Sequence, residues 1–109
     1  MTDWAADVHN YVKDADEEAI AGVIRHCGIA LRKADSSLVS FSDPAERKRV
    51  RDSFMKKKLG RTESDEELDA VLDKIGEVMK GTRRKNRVTV YYLIAEHYGQ
   101  LALFYKKKK

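Results

Sequence analysis

The sequence has little of what normally interrupts a helix or staples a small fold. It holds 1 proline, 6 glycines and 1 cysteine in 109 residues. A single cysteine, Cys27, cannot close an intramolecular disulfide, which excludes the disulfide scaffold of many small secreted domains. No apolar run approaches the ~18 residues that span a bilayer. The longest, Val88–Ala95, is too short and includes Thr89. The start, Met1-Thr2-Asp3-Trp4, is acidic and lacks the apolar core of a signal peptide. These features predict a cytoplasmic protein without a membrane span. A chain of this length makes one domain, since domains run ~100–150 residues.

Charge is what the chain has in excess. Charged residues make up 37% against an apolar share of 42%. Usual domains carry ~25% charge. A disordered chain would lack the apolar residues, so a folded, heavily charged domain is expected. The net charge of +4 conceals an alternation. Residues 1–43 carry −4, 44–61 carry +6, 62–81 carry −5 and 82–109 carry +7.

Apolar spacing along the chain reads as helices. Thr2 or Asp3 can cap a first helix on which Trp4, Val8, Tyr11, Val12 and Ala15 form one stripe. Asp16 can cap a second, with Glu17 and Glu18 in the first turn, where the helix dipole favours negative charge. Its buried face is Ala19, Ile20, Val23, Ile24 and Cys27, and Gly28 suits the left-handed position after the last turn. Residues 29–42 read as a packed connector, with a hint of alternation at Val39-Ser40-Phe41. Asp43-Pro44-Ala45-Glu46 opens a third helix with a cap, a proline at the first helical position and an acid three residues after the cap. Its apolar residues, Val50, Phe54, Met55 and Leu59, make a narrow, irregular stripe, and Gly60 ends it.

Ser64-Asp65-Glu66-Glu67 is a capping box for a fourth helix. Leu68, Val71, Leu72, Ile75, Val78 and Met79 form its stripe, Gly81 closes it, and Gly76 leaves room for another helix to approach. The segment Asn86–Tyr98 is ambiguous, because Val88-Thr89-Val90-Tyr91-Tyr92 has strand propensity. Val88, Tyr91, Tyr92, Ala95 and Tyr98 share a helical face, however, and a lone strand would have no partner, so a helix ending at Gly99 is expected. Leu101, Leu103, Phe104 and Tyr105 then pack back on the body. The expected fold is all-α: a compact single-domain bundle of about five helices over residues 1–105, followed by a flexible lysine tail, 106–109. Its core includes Val8, Ile20, Val23, Ile24, Phe54, Leu68, Val71, Leu72, Ile75, Tyr91 and Ile94.

Four stretches carry a family resemblance: EEAIAGVIRHCGIAL ending at Leu31, SLVSFSD from Ser37 to Asp43, RVRDSFMKKKLG from Arg49 to Gly60, and RVTVYYLIAEHYG from Arg87 to Gly99. The chain resembles, from about residue 8 to 104, the short bacterial proteins grouped as domain of unknown function 2853. The resemblance implies a stand-alone bacterial protein of about this length. It supplies no activity, cofactor or catalytic residue.

Chemical signatures are few. His9, His26 and His97 do not share metal-ligand spacing, and His26 and Cys27 point about 100° apart on a helix. No paired cysteine motif or glycine-rich phosphate loop is present. The carboxylate pairs Glu17/Glu18 and Glu66/Glu67 sit in first helical turns, where capping explains them. The sequence therefore predicts no catalytic residue, metal or cofactor. A thiol enzyme built on Cys27 is a third-ranked reading. It requires that thiol to be accessible and acidic.

Two surfaces remain. The residues Arg47, Lys48, Arg51 and Lys58, with Arg83, Arg84, Lys85 and Arg87, can meet an acidic partner or the phosphates of a nucleic acid. The bland alternative is that the third and fourth helices pair, basic against acidic. Tyr91, Tyr92, Tyr98, Phe104 and Tyr105 read as core before they read as an interface. The favoured function is a non-enzymatic cytoplasmic bacterial interaction protein, bound to an unidentified protein or to itself. The alternative is a nucleic-acid-binding protein using basic residues of 47–61 and 83–87.

Overall fold

A computed structural model describes residues 4–12, 15–28, 38–39, 41, 43–80 and 85–104. Five α-helices carry the fold: α1 (Trp4–His9), α2 (Glu17–Cys27), α3 (Pro44–Arg49), α4 (Asp65–Val78) and α5 (Arg87–His97). Helix α3 runs on as a π-helix over Val50–Lys58, and a 3-10 turn, Leu101–Phe104, closes the described chain. The all-α architecture is as expected. The connector at 29–37, Gly81 and the residues beyond Phe104 lie outside the described residues.

Helix α5 is the centre. Every residue from Arg87 to Ala95 is buried on it. A helix that is apolar all round belongs in an interior, and this one is enclosed by α1, α2, α4 and the 3-10 turn. The strand-like run of Val88 to Tyr92 is the mark of that central place. Within that run the buried Thr89 hydroxyl donates to the Asp7 carboxylate of α1. The Tyr92 hydroxyl accepts from the Asp16 backbone N–H, at the start of α2, at 2.8 Å.

The caps follow the sequence. Asp16 accepts from the N–H groups of Glu18 and Ala19, and Asp43 from that of Ala45. Ser64 and Glu67 form both arms of the capping box. Gly28, Gly60 and Gly99 have φ values of 45°, 70° and 68°, the left-handed region in which glycine costs nothing.

The irregular stripe of the third helix has a physical cause. Val50 and Leu59 are nine residues apart, which on an α-helix of about 100° per residue would set them on opposite sides. Both are buried, with Phe54 and Met55 between them. The π-helix widens each turn, shown by the Leu59 N–H donating to the Phe54 carbonyl five residues back, so all four residues face one core.

The strand-prone run Val88–Tyr92 is helical, as expected. A short antiparallel pair precedes it: β1 (Leu38–Val39) pairs with β2 (Lys85–Asn86), Leu38 opposite Asn86 and Val39 opposite Lys85. Three expectations need correction. Val78 is outside the core and 54% exposed, because Leu68, Val71, Leu72 and Ile75 already fill the inward face of α4. Ile24 is half-buried against the core rather than within it. Gly76 receives no helix; the Phe41 ring lies over it, 3.3 Å from where a Cβ would stand.

Candidate interaction surface

The basic block lies along the acidic helix. Arg47 Nη2 is 2.8 Å from Asp73 and 3.4 Å from Asp69, and Arg51 Nη1 is 2.8 Å from the same Asp69 oxygen. Residues 47 and 51 are one turn apart, as are 69 and 73, so two helices side by side bring these rungs together. Further along, Lys56 reaches Asp65 at 2.6 Å and Arg61 reaches Glu63 at 2.5 Å. The Lys56 hydrogen bond holds the Asp65 carboxyl below its ordinary range. The pairing of the third and fourth helices, basic against acidic, is thus present in the fold. An open cavity of about 420 Å³ between them is lined by Pro44, Arg47, Lys48, Arg51 and Asp69, and its cations already face carboxylates.

Arg87 leaves the surface altogether. Its side chain is 6% exposed and lies 2.7 Å from the Glu46 carboxylate, and it donates to the Tyr91 hydroxyl and the Leu38 carbonyl. It ties α5 to α3 and to β1. Lys48 is exposed and only 3.7 Å from Asp52. Lys85 lies 5.8 Å from the Phe41 ring centroid at the strand pair. Arg83 and Arg84 lie outside the described residues.

Of the C-terminal aromatic residues, Tyr91, Tyr92 and Phe104 are buried in the core, and Tyr105 lies outside the described residues. Phe54 and Tyr91 stack with centroids 3.9 Å apart and planes 18° from parallel. Tyr92 is buried, and Tyr98 is half-buried beneath the Arg61 guanidinium at 4.1 Å. Cys27 is buried too. Burial pushes its thiol up to about 12, and the nearby positive charge of Arg87 offsets only part of this. Reactive cysteines are accessible and have a lowered pKa, the opposite of this setting.

A different group of cations stands out. Arg25 and His26, in the last turn of α2, and Lys58, at the end of the π-helix, surround Phe104. Arg25 Nη2 donates to the Phe104 carbonyl at 3.2 Å, and Lys58 Nζ lies 5.3 Å from the ring centroid. The His26 ring is 6.1 Å from that of Phe104 and 5.6 Å from that of Phe54. All three side chains are exposed, and among the described residues no carboxylate pairs with any of them. Lys58 was a sequence candidate; Arg25 and His26 were not. Only the return of the chain at Leu101–Phe104 brings the three together. Gly22 permits that return: a Cβ there would stand 1.9 Å from the Phe104 carbonyl oxygen. A glycine inside a helix, where it costs ~1 kcal/mol relative to alanine, was the available signal.

Comparison with known families decides the relationship. The family model described as "Protein of unknown function (DUF2853)" matches residues 3–102. The chain belongs to this family. Arg25, His26, Lys58 and the paired rungs of α3 and α4 all fall within the DUF2853 match, while Phe104 lies just past its end. Among curated proteins, none matches the chain. Among the described residues, no helix is long and apolar enough to cross a membrane.

Proposed function

We propose that this DUF2853 protein is a non-enzymatic interaction protein of the bacterial cytoplasm, and that it works by charge-guided association with an acidic protein surface. The observation that carries the reading is the set Arg25, Lys57 and Lys58. These are exposed cations with no carboxylate on them among the described residues. The neighbouring cations Arg47, Arg51, Lys56 and Arg61 are already matched within the fold, which reduces the footprint available to a nucleic acid.

An acidic surface of the right kind is carried by the chain itself. Glu66 and Glu77 stand exposed three turns apart on the outward side of α4, and the exposed Val78 adjoins them; Glu77 has Lys80 3.7 Å away, and Asp73 between them is already held by Arg47. A second copy presenting this face is the partner we favour. The buried Cys27 supports a reducing compartment and a role without thiol chemistry.

Sedimentation velocity at low salt and at ~0.15 M salt tests the reading, because exposed charges are screened over about 8 Å at the higher value. A species larger than the monomer is expected at low salt, lost at the higher salt and lost in the triple variant R25A/K57A/K58A. A monomer under both conditions overturns it. A monomer that instead binds duplex DNA through basic residues of 47–61 and 83–87 establishes the nucleic-acid alternative.

A further inference from the structure

We propose that Arg25, His26 and Lys58 form a binding site for a phosphate dianion above Phe104. The proposal rests on reading this patch as the surface through which the protein works, and it names the chemistry that the patch recognises.

The geometry carries the argument. Three basic side chains from two separate helices lie around one buried ring. Arg25 reaches its carbonyl at 3.2 Å, Lys58 lies 5.3 Å from its centroid, and the His26 ring is 6.1 Å from it. The helix dipole explains Arg25 and His26, which sit in the last turn of α2 where positive charge is favoured. It does not explain Lys58, which arrives from the end of the π-helix. Among the described residues no carboxylate offsets these like charges, which repel. Burial lowers the His26 pKa, and the Lys58 charge lowers it further.

The other groups about His26 do not relieve this. Cys27 beside it on α2 is held neutral by burial. Tyr91, from α5, lies with its ring 6.1 Å from that of His26, and burial keeps its phenol protonated. A dianion would match the two fixed charges of Arg25 and Lys58 and accept a hydrogen bond from the imidazole. A phosphate monoester suits this, since its second ionisation near pH 6 leaves it largely doubly charged at neutral pH; free phosphate ionises closer to about pH 7 and supplies the dianion in part. The Arg25 guanidinium provides the planar donor set that phosphate oxygens favour.

Anion binding and histidine protonation must be coupled, and the coupling supplies the test. The His26 Cε1–H resonance is followed by NMR between about pH 5 and 8 at constant ionic strength, with chloride replaced by inorganic phosphate. His26 is expected to titrate at higher pH in phosphate than in chloride. R25A and K58A, both exposed positions, are each expected to weaken phosphate binding about fivefold, the effect of one surface charge. A His26 midpoint equal in the two buffers overturns the proposal, as does a shift that survives in R25A/K58A.

Methyl phosphate is the second probe. If it shifts His26 as phosphate does, the site takes an esterified phosphoryl group; if it does not, the site takes the free ion. The H26Q variant separates this proposal from the one it rests on. Burial and the Lys58 charge lower the His26 pKa, so H26Q should weaken phosphate binding yet leave salt-sensitive self-association intact. An unshifted His26 alongside intact self-association removes only the phosphate site. A shifted His26 in a protein that stays monomeric keeps the site and removes the association.

Discussion

The Glu46 carboxylate and the Arg87 guanidinium meet at 2.7 Å inside the protein, 41 residues apart in the chain. Both side chains are largely buried, at 13% and 6% exposure. The pair joins the start of α3 to the start of α5, and Tyr91 and the Leu38 carbonyl take further guanidinium protons. Removing one partner leaves the other charge buried and unpaired, which costs far more than the pair itself contributes. Glu46→Ala should therefore destabilise the protein by about 3 kcal/mol, toward the lower end for such sites because Glu46 keeps a solvent-facing edge. Asp52→Ala, which removes an exposed partner of Lys48 and Lys56, should leave the unfolding free energy unchanged within error. Urea titration of the two variants checks the contrast.

Gly22→Ala should displace the C-terminal turn. The added methyl would stand 1.9 Å from the Phe104 carbonyl oxygen and 2.5 Å from its Cβ, and neither backbone can yield without moving the whole turn. A cost of about 1–3 kcal/mol is expected, typical of overpacking, even though alanine is the better helix former. Loss of the Arg25 contact with the Phe104 carbonyl should follow. Thermal denaturation gives the first effect, and the His26 resonance reports the second.

His26 gives a pH dependence with a definite sign. Its folded pKa lies below the ordinary value of 6.5, through burial first and Lys58 second. The unfolded chain therefore binds more protons as the pH falls through 6.5, and stability declines with it until the folded imidazole also protonates. The melting temperature should fall as the pH is lowered below that value, and His26→Gln should flatten this segment. Lys58→Ala should flatten it partly, since burial remains. A His26→Gln variant with an unchanged slope would show that other groups control it.

Most of the fold was readable because caps and periodicity act locally. Asp16, Asp43-Pro44 and Ser64-Glu67 begin their helices where their side chains predict, and the expected core residues are buried apart from Ile24. What escaped was non-local. The β1–β2 pairing joins residues 38–39 to 85–86, and nothing in either dipeptide announces the other. The π-helix was visible only as a stripe that looked irregular on an α-helical template. Charge was the hardest to read. Arg87 and Lys58 are both cations on helices, yet one is enclosed by Glu46 and Tyr91 while the other faces out over Phe104. The candidate site combines residues from α2, the π-helix and the C-terminal turn, so only the packing of all three reveals it.

The central claim is that the cation patch of one copy meets the acidic face of α4 on another. Two charge reversals in separate molecules test it most directly. Lys58→Glu spoils the patch but keeps the acidic face; Glu66→Lys spoils the acidic face but keeps the patch. By sedimentation velocity at low salt, each variant alone should associate less than the parent. A mixture of the two should regain an assembly, because it restores one intact patch facing one intact acidic surface. A mixture that sediments as the sum of its two components would contradict the account.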